Sequence, residues 1–225
     1  MSRATEIFDL DPGFLDDDWL SAQMRLLMGL SSTGGDGRQR LPECWQGHED
    51  ALVLRLNQLI MEMRLRGQAT PEPLALTAES VIWPTQGATP LEEQVARVGE
   101  RARNGRPGRI RLPRNDHELW ASYKYTVLAR NHQAYLRFGQ RIAARAIPYD
   151  RLWQEMVNVS HVAPTPGAVR NAVQHMWGYV SNFSSVNPQI DSLRELLSEI
   201  QRLAAAHNVS YLLNSTALGE LMVWV

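Results

Sequence analysis

Apolar residues that recur every three to four positions, with no convincing run of alternation, most constrain what this chain can become. Leu52, Leu56, Leu59 and Met63 follow that spacing, and so do Ile190, Leu193, Leu197 and Ile200. Residues so spaced share one face of a helix and leave the opposite face to water. The punctuation between such stretches is also helical. Asp16 to Asp18 supply carboxylates for a first turn, and Thr89-Pro90 and Thr165-Pro166 pair a capping residue with a proline suited to the first helical position. The fold class expected is therefore all-α, a bundle-like globular protein of many helices joined by long ordered loops.

In chain order, residues 1 to 15 read as an extended lead-in with a turn. A first helix runs to about Leu30, and the glycine-rich stretch Ser31 to Arg40 reads as a loop. A second helix covers Gly47 to Arg66, and the proline-rich connection 68 to 90 wraps the surface with Trp83 as its anchor. A third helix capped by Thr89 ends near Asn104-Gly105. Asn115 or Asp116 then caps one long helix reaching Arg145, and a shorter one spans Asp150 to Val159. Thr165 opens the helix that holds His175, Asn187-Pro188 opens another that Asn208 stops, and Tyr211 to Val225 packs back on the body. The connection 68 to 90 has enough apolar residues to favour a single merged core over two separate halves.

Composition enters where it excludes. The longest apolar runs fall well short of the roughly 20 residues that span a bilayer, and the acidic N-terminus is unlike a signal peptide. A cytoplasmic protein without membrane contact is expected. One cysteine, Cys44, allows neither an internal disulfide nor a paired-thiolate zinc site, and no two histidines have chelate spacing. Neither a metal nor a cofactor is indicated. The formal net charge is -1, yet Arg101, Arg103, Arg106, Arg109, Arg111 and Arg114 lie in a window with no acid between Glu100 and Asp116. Such a loop would neutralise phosphates along a nucleic-acid backbone, with steep salt dependence. Its plain alternative is a solvated surface loop.

Lys124 is the only lysine among 23 basic residues. Helical spacing puts it on one face with His117 and Trp120, and puts His175 beside Tyr179. A lysine among aromatic rings suits nucleic acid, since the ammonium meets phosphate and the rings accept bases. Alternatively, Trp120, Tyr123, Phe138, Met176 and Trp177 fill the core, and His175 is a structural histidine bonded to a carbonyl. His175 with Gln174 and Tyr179 could otherwise serve as a donor or general acid.

Two resemblances extend these readings. The run Trp120 to Gly139, with Lys124, Leu128-Ala129 and Tyr135, followed by Pro164-Thr-Pro-Gly and Asn171-Ala-Val-Gln-His-Met-Trp-Gly-Tyr, resembles the YbgA-like domain of unknown function over about residues 115 to 222. The resemblance implies a helical domain for 111 to 225 that contributes nucleic-acid binding, transfer RNA above all. Lys124, Asn171, Gln174, His175 and Tyr179 are its matching positions. The cysteine-dependent desulfidase fused to some members has no counterpart here. The first half, 1 to 110, is similar to the endonuclease-V-type pyrimidine-dimer DNA glycosylases at Ser2-Arg3, Leu20 to Arg25 and Gly47-His48 through Gly67. That likeness implies a Ser2 α-amine as catalytic nucleophile, but Leu26 stands where those enzymes carry their glutamate.

Three functions follow as expectations. The first is a non-catalytic nucleic-acid-binding protein linked to ultraviolet damage or RNA modification. The second is a glycosylase or lyase using Ser2. The third is a helical scaffold that pairs with a protein partner or a second copy of itself.

Overall fold

The computed structural model describes residues 6–31, 43–76, 81–84, 89–185 and 192–225. Among them all regular structure is helical: ten α-helices and four short 3-10 turns, with no strand. The chain divides into two compact units, residues 1–108 and 109–225. Ser2, residues 32–42, where a glycine-rich loop was expected, and Asn187, Pro188 and Ile190 lie outside the described residues.

The first unit contains α1 (Asp17–Ser31), α2 (Glu49–Leu65) and α3 (Leu91–Arg103). Asp16 caps α1 by accepting from the Trp19 amide at 2.9 Å, and Asp17 and Asp18 face the positive end of the helix dipole. Thr89 was expected to cap α3, but Pro90 occupies the cap position and Thr89 instead accepts from the Gln94 amide group at 3.0 Å. The central helix is α2, buried from Ala51 to Met63 at almost every position and packed on α1. Two of its buried polar residues bond to backbone: Arg55 donates to the Leu10 carbonyl at 2.7 Å, and Asn57 exchanges two bonds with the backbone of Leu74. That exchange fixes the start of the proline-rich connection. Its anchor is Trp83, which meets the buried ring of Trp45 edge-on at 5.5 Å.

The described part of the lead-in keeps to the expected form, irregular chain followed by a 3-10 turn at Pro12–Phe14. Ile7, Phe8, Leu10, Phe14 and Leu15 are all buried, so residues 6 to 15 form an internal strap. Burying an irregular strap requires a partner for each exposed amide. Gln23 accepts from Phe8 and Gln94 accepts from Asp9, the latter at 2.8 Å.

Burial pushes the Asp9 carboxyl above its ordinary value, opposed by the hydrogen bond from Gln94 and the charge of Arg55. A carboxyl that holds its proton more firmly in the folded chain adds stability as pH falls through its folded value, until the unfolded chain is protonated too. Wild type should therefore gain on Asp9→Asn across that acidic window. Urea midpoints of both proteins, followed downward from neutral pH, check this; parallel curves would contradict it.

The second unit is built around α4 (Asp116–Leu128), capped by Asn115 through the Glu118 amide at 2.9 Å. Packed on it are α5 (His132–Ala143), α6 (Tyr149–Ser160) and α7 (Pro166–Trp177). Next come α8 (Leu193–Ala206) against α7, the short α9 (Ser210–Leu213), and α10 (Ala217–Glu220) against α4.

One long helix to Arg145 was expected, and the chain instead breaks after Leu128. Asn131 leaves the helical region and caps α5 by accepting from Ala134 at 2.9 Å. Arg130, freed from helical regularity, turns its guanidinium inward. Both Glu220 carboxylate oxygens accept from it at 2.8 and 2.9 Å, as do the carbonyls of Thr126, Ser160 and Val162. Only 1% and 2% of the Arg130 and Glu220 side chains remain exposed. One turn earlier, Thr126 and Thr216 share a 2.7 Å hydroxyl bond, and Thr216 donates twice to the Ser122 carbonyl. Ser122, Thr126 and Arg130 thus form a stripe four residues apart that mates with Thr216 and Glu220 at the same spacing.

Candidate functional site

The ladder occupies one side of α4; another carries the chain's only lysine. Lys124 extends so that its ammonium stands 4.7 Å from the ring centroid of Tyr125 and 4.7 Å from that of Tyr211. Such distances suit cation–π attraction. Tyr211 reaches the site because Asn208, at φ +50, reverses the chain after α8. Asparagine tolerates that conformation, and the Val209 amide closes the turn on the Ala204 carbonyl at 2.9 Å. Tyr179 arrives from the end of α7, one residue past Gly178. Its ring stacks on Tyr211 at 4.8 Å with planes 19° apart, and Tyr125 stands nearly edge-on to both at 6.4 Å. His175, exposed one turn earlier on α7, lies 6.5 Å from Tyr125 in a nearly parallel arrangement.

The three phenols are not equivalent. Tyr125 is 3% exposed, and burial first, then its hydrogen bond to Tyr179, pushes its ionisation well above the usual phenol range. Burial acts first on Tyr211 as well and raises it too. Tyr179 moves the other way: the Tyr125 hydroxyl donates to its oxygen, the Lys124 charge stands nearby, and both hold its ionisation below the ordinary value. With 43% of its surface in solvent, Tyr179 is the acidic and accessible member of the trio.

Of the positions expected from sequence, the fold brings Lys124, His175 and Tyr179 together. Asn171, half-buried, and Gln174, exposed, lie on α7 and make no hydrogen bond or ring contact with the cluster among the described residues. Trp120 packs on Tyr135 at 5.3 Å and Phe138 at 6.1 Å, while Tyr123, Phe138, Met176 and Trp177 are core. Tyr125 and Tyr211 were not singled out. Tyr125 adjoins Lys124 in sequence and was within reach; Tyr211 is joined to the site only by the αL turn.

The arginine window spreads over both units. In the first, Arg101 pairs with Asp16 and Asp18 and covers the Trp19 ring at 4.8 Å, and Arg106 pairs with Asp18 at 2.8 Å. In the second, Arg109 donates to the carbonyls of Leu213 and Ser215, and Arg114 forks onto Glu118. Arg103 and Arg111 are the members whose exposed side chains meet no acid among the described residues. An incoming phosphate would compete with a carboxylate at Arg101, Arg106 and Arg114. Leu26 is a buried residue of α1. No group of three or more histidine, cysteine or acidic side chains is placed to hold a metal among the described residues. None of the described helices is long and apolar enough to cross a membrane.

The second unit is thus an all-helical module whose distinguishing site is a lysine enclosed by three tyrosines. Residues 124–220 match a family described as a protein of unknown function, DUF1722, which supports the resemblance of the C-terminal half to the YbgA-like domain. The match opens on Lys124 of the tyrosine cluster and closes on Glu220 of the buried ion pair. No curated protein and no solved structure matches the chain.

Proposed function

We propose that the 109–225 unit binds nucleic acid as unpaired strand, with Lys124 meeting a phosphate and the Tyr179 ring taking a base. The observation that supports it most is the exposed Tyr179 face, backed by Tyr211 and adjoining a held ammonium. Stacking on an aromatic is tolerant of sequence and needs a base that is free of its partner, as in single strands and transfer-RNA loops. A setting in RNA modification or ultraviolet damage is part of the same reading. The scaffold reading and the Ser2 glycosylase reading remain its rivals, and Ser2 lies outside the described residues.

A labelled panel of intact duplex, irradiated duplex, single strand and transfer RNA, each at two salt concentrations, tests it. Saturable binding is expected for single strand and transfer RNA. Because Arg101, Arg106 and Arg114 are already paired, the salt slope should be shallow, about -0.7 for each phosphate contacted on a single strand. Tyr179→Ala should weaken binding by about 1–3 kcal/mol. If nothing binds at low salt the reading fails, and a defined protein partner or homodimer becomes the expectation. Borohydride trapping on irradiated duplex would favour the glycosylase.

A further inference from the structure

We propose that Tyr179 is a nucleophile, attacking the phosphorus of a nucleotide ester bound at the tyrosine cluster and forming a phosphotyrosyl intermediate. The inference rests on the nucleic-acid reading and adds an activity to it. Geometry singles out this oxygen. Tyr125 is sealed in the core and Tyr211 lies half-buried beneath Tyr179, so Tyr179 alone of the trio presents itself to a ligand. The Lys124 ammonium, held over the rings of Tyr125 and of Tyr211, on which Tyr179 stacks, offers a place for a phosphate charge beside it.

The reactivity runs in the same direction. A phenol is a weak nucleophile until it ionises, and lowering its ionisation is one of the ways proteins activate such groups. The Tyr125 hydrogen bond and the Lys124 charge do that here. The Cys44 thiol is pushed the opposite way by burial, so it does not compete.

The step balances within the site. The Tyr179 phenolate oxygen forms a bond to phosphorus as the bond from phosphorus to the leaving oxygen breaks. Where the leaving group is an alkoxide, Lys124 gives it an ammonium proton and a free hydroxyl departs. Water then attacks the phosphotyrosyl phosphorus, the phenolate leaves, one proton of the water returns to Lys124 and the nucleotide is released as a phosphate monoester.

The p-nitrophenyl ester of thymidine 5′-phosphate is a suitable probe, because its leaving group needs no proton. With the full chain, the expected result is a burst of p-nitrophenol stoichiometric with protein. A thymidylyl group should be found by mass spectrometry on the peptide carrying Tyr179. Tyr179→Phe, which keeps the ring but not the oxygen, should abolish burst and adduct while still binding the probe. Lys124→Gln should move the pH profile of adduct formation, and the phenolate absorbance titration of Tyr179, to higher pH. Saturable quenching by the probe without any adduct would overturn the nucleophile and leave the binding reading intact. An adduct on another residue would also overturn it. Absence of quenching would remove both.

Discussion

Replacing Arg130 with methionine is expected to destabilise the second unit by about 3–5 kcal/mol, the range found when one member of a buried ion pair is removed. The magnitude follows from what is left behind. The Glu220 carboxylate would stay in a site where 2% of its side chain reaches water, and the carbonyls of Thr126, Ser160 and Val162 would lose their donor. Methionine supplies volume but no hydrogen bond. Glu220→Gln should cost less, since an amide keeps the shape and one acceptor for the guanidinium. Arg130→Met combined with Glu220→Leu should recover part of the loss, because removing both charges leaves neither unpaired. Urea unfolding of the four proteins measures this directly. A loss below about 1 kcal/mol for Arg130→Met would mean that the pair is not sealed from solvent as described.

The consequence reaches the candidate site. Arg130 and Thr126 tie α4 to the segment holding Thr216 and Glu220, which continues from the turn that delivers Tyr211. Loosening that tie should release Tyr211 from its stack on Tyr179 before it disturbs α7. Tyr179 would keep its exposure but lose its backing ring.

Helix identity was legible where caps and periodic stripes are local. Asp16, Asn115, Thr165 and the apolar faces of α2 and α8 announced their helices within a few residues. The break at Arg130 was not legible, since residues 116 to 145 contain no proline or terminal glycine at that point. What ends α4 is the burial of a guanidinium against Glu220, ninety residues on. The internal strap at Ile7 to Leu15 was hidden for a similar reason, its amides being met by Gln23 and Gln94 from elsewhere in the chain. In the site, Lys124 stood out by rarity, and His175 and Tyr179 by their spacing on one helix. Tyr211 carried no local signal. Arg101 and Arg106 looked free because their acids, Asp16 and Asp18, are more than eighty residues away in sequence.

Gly108→Ala is expected to destabilise the first unit by about 3 kcal/mol, toward the upper end for overpacking. The reason is contact and not backbone conformation. A Cβ at position 108 would stand 2.5 Å from the Gly13 carbonyl oxygen and 2.5 Å from the carbonyl carbon and oxygen of Phe14. Those atoms cannot simply swing aside. They belong to a buried 3-10 turn capped by Asp11, and Arg66 donates to the carbonyls of Pro12 and Gly13. Moving the turn to admit a methyl group would strain that cap and those two bonds together. Gly139→Ala supplies the contrast, since a Cβ there meets nothing within 4 Å and the residue lies inside α5. That substitution should stabilise by about 0.4–1 kcal/mol, by reducing the freedom of the unfolded chain. Thermal unfolding of the two variants should therefore move in opposite directions. If Gly108→Ala left the first unit's transition unchanged, the close approach of residue 108 to the Gly13–Phe14 turn would not be maintained in solution.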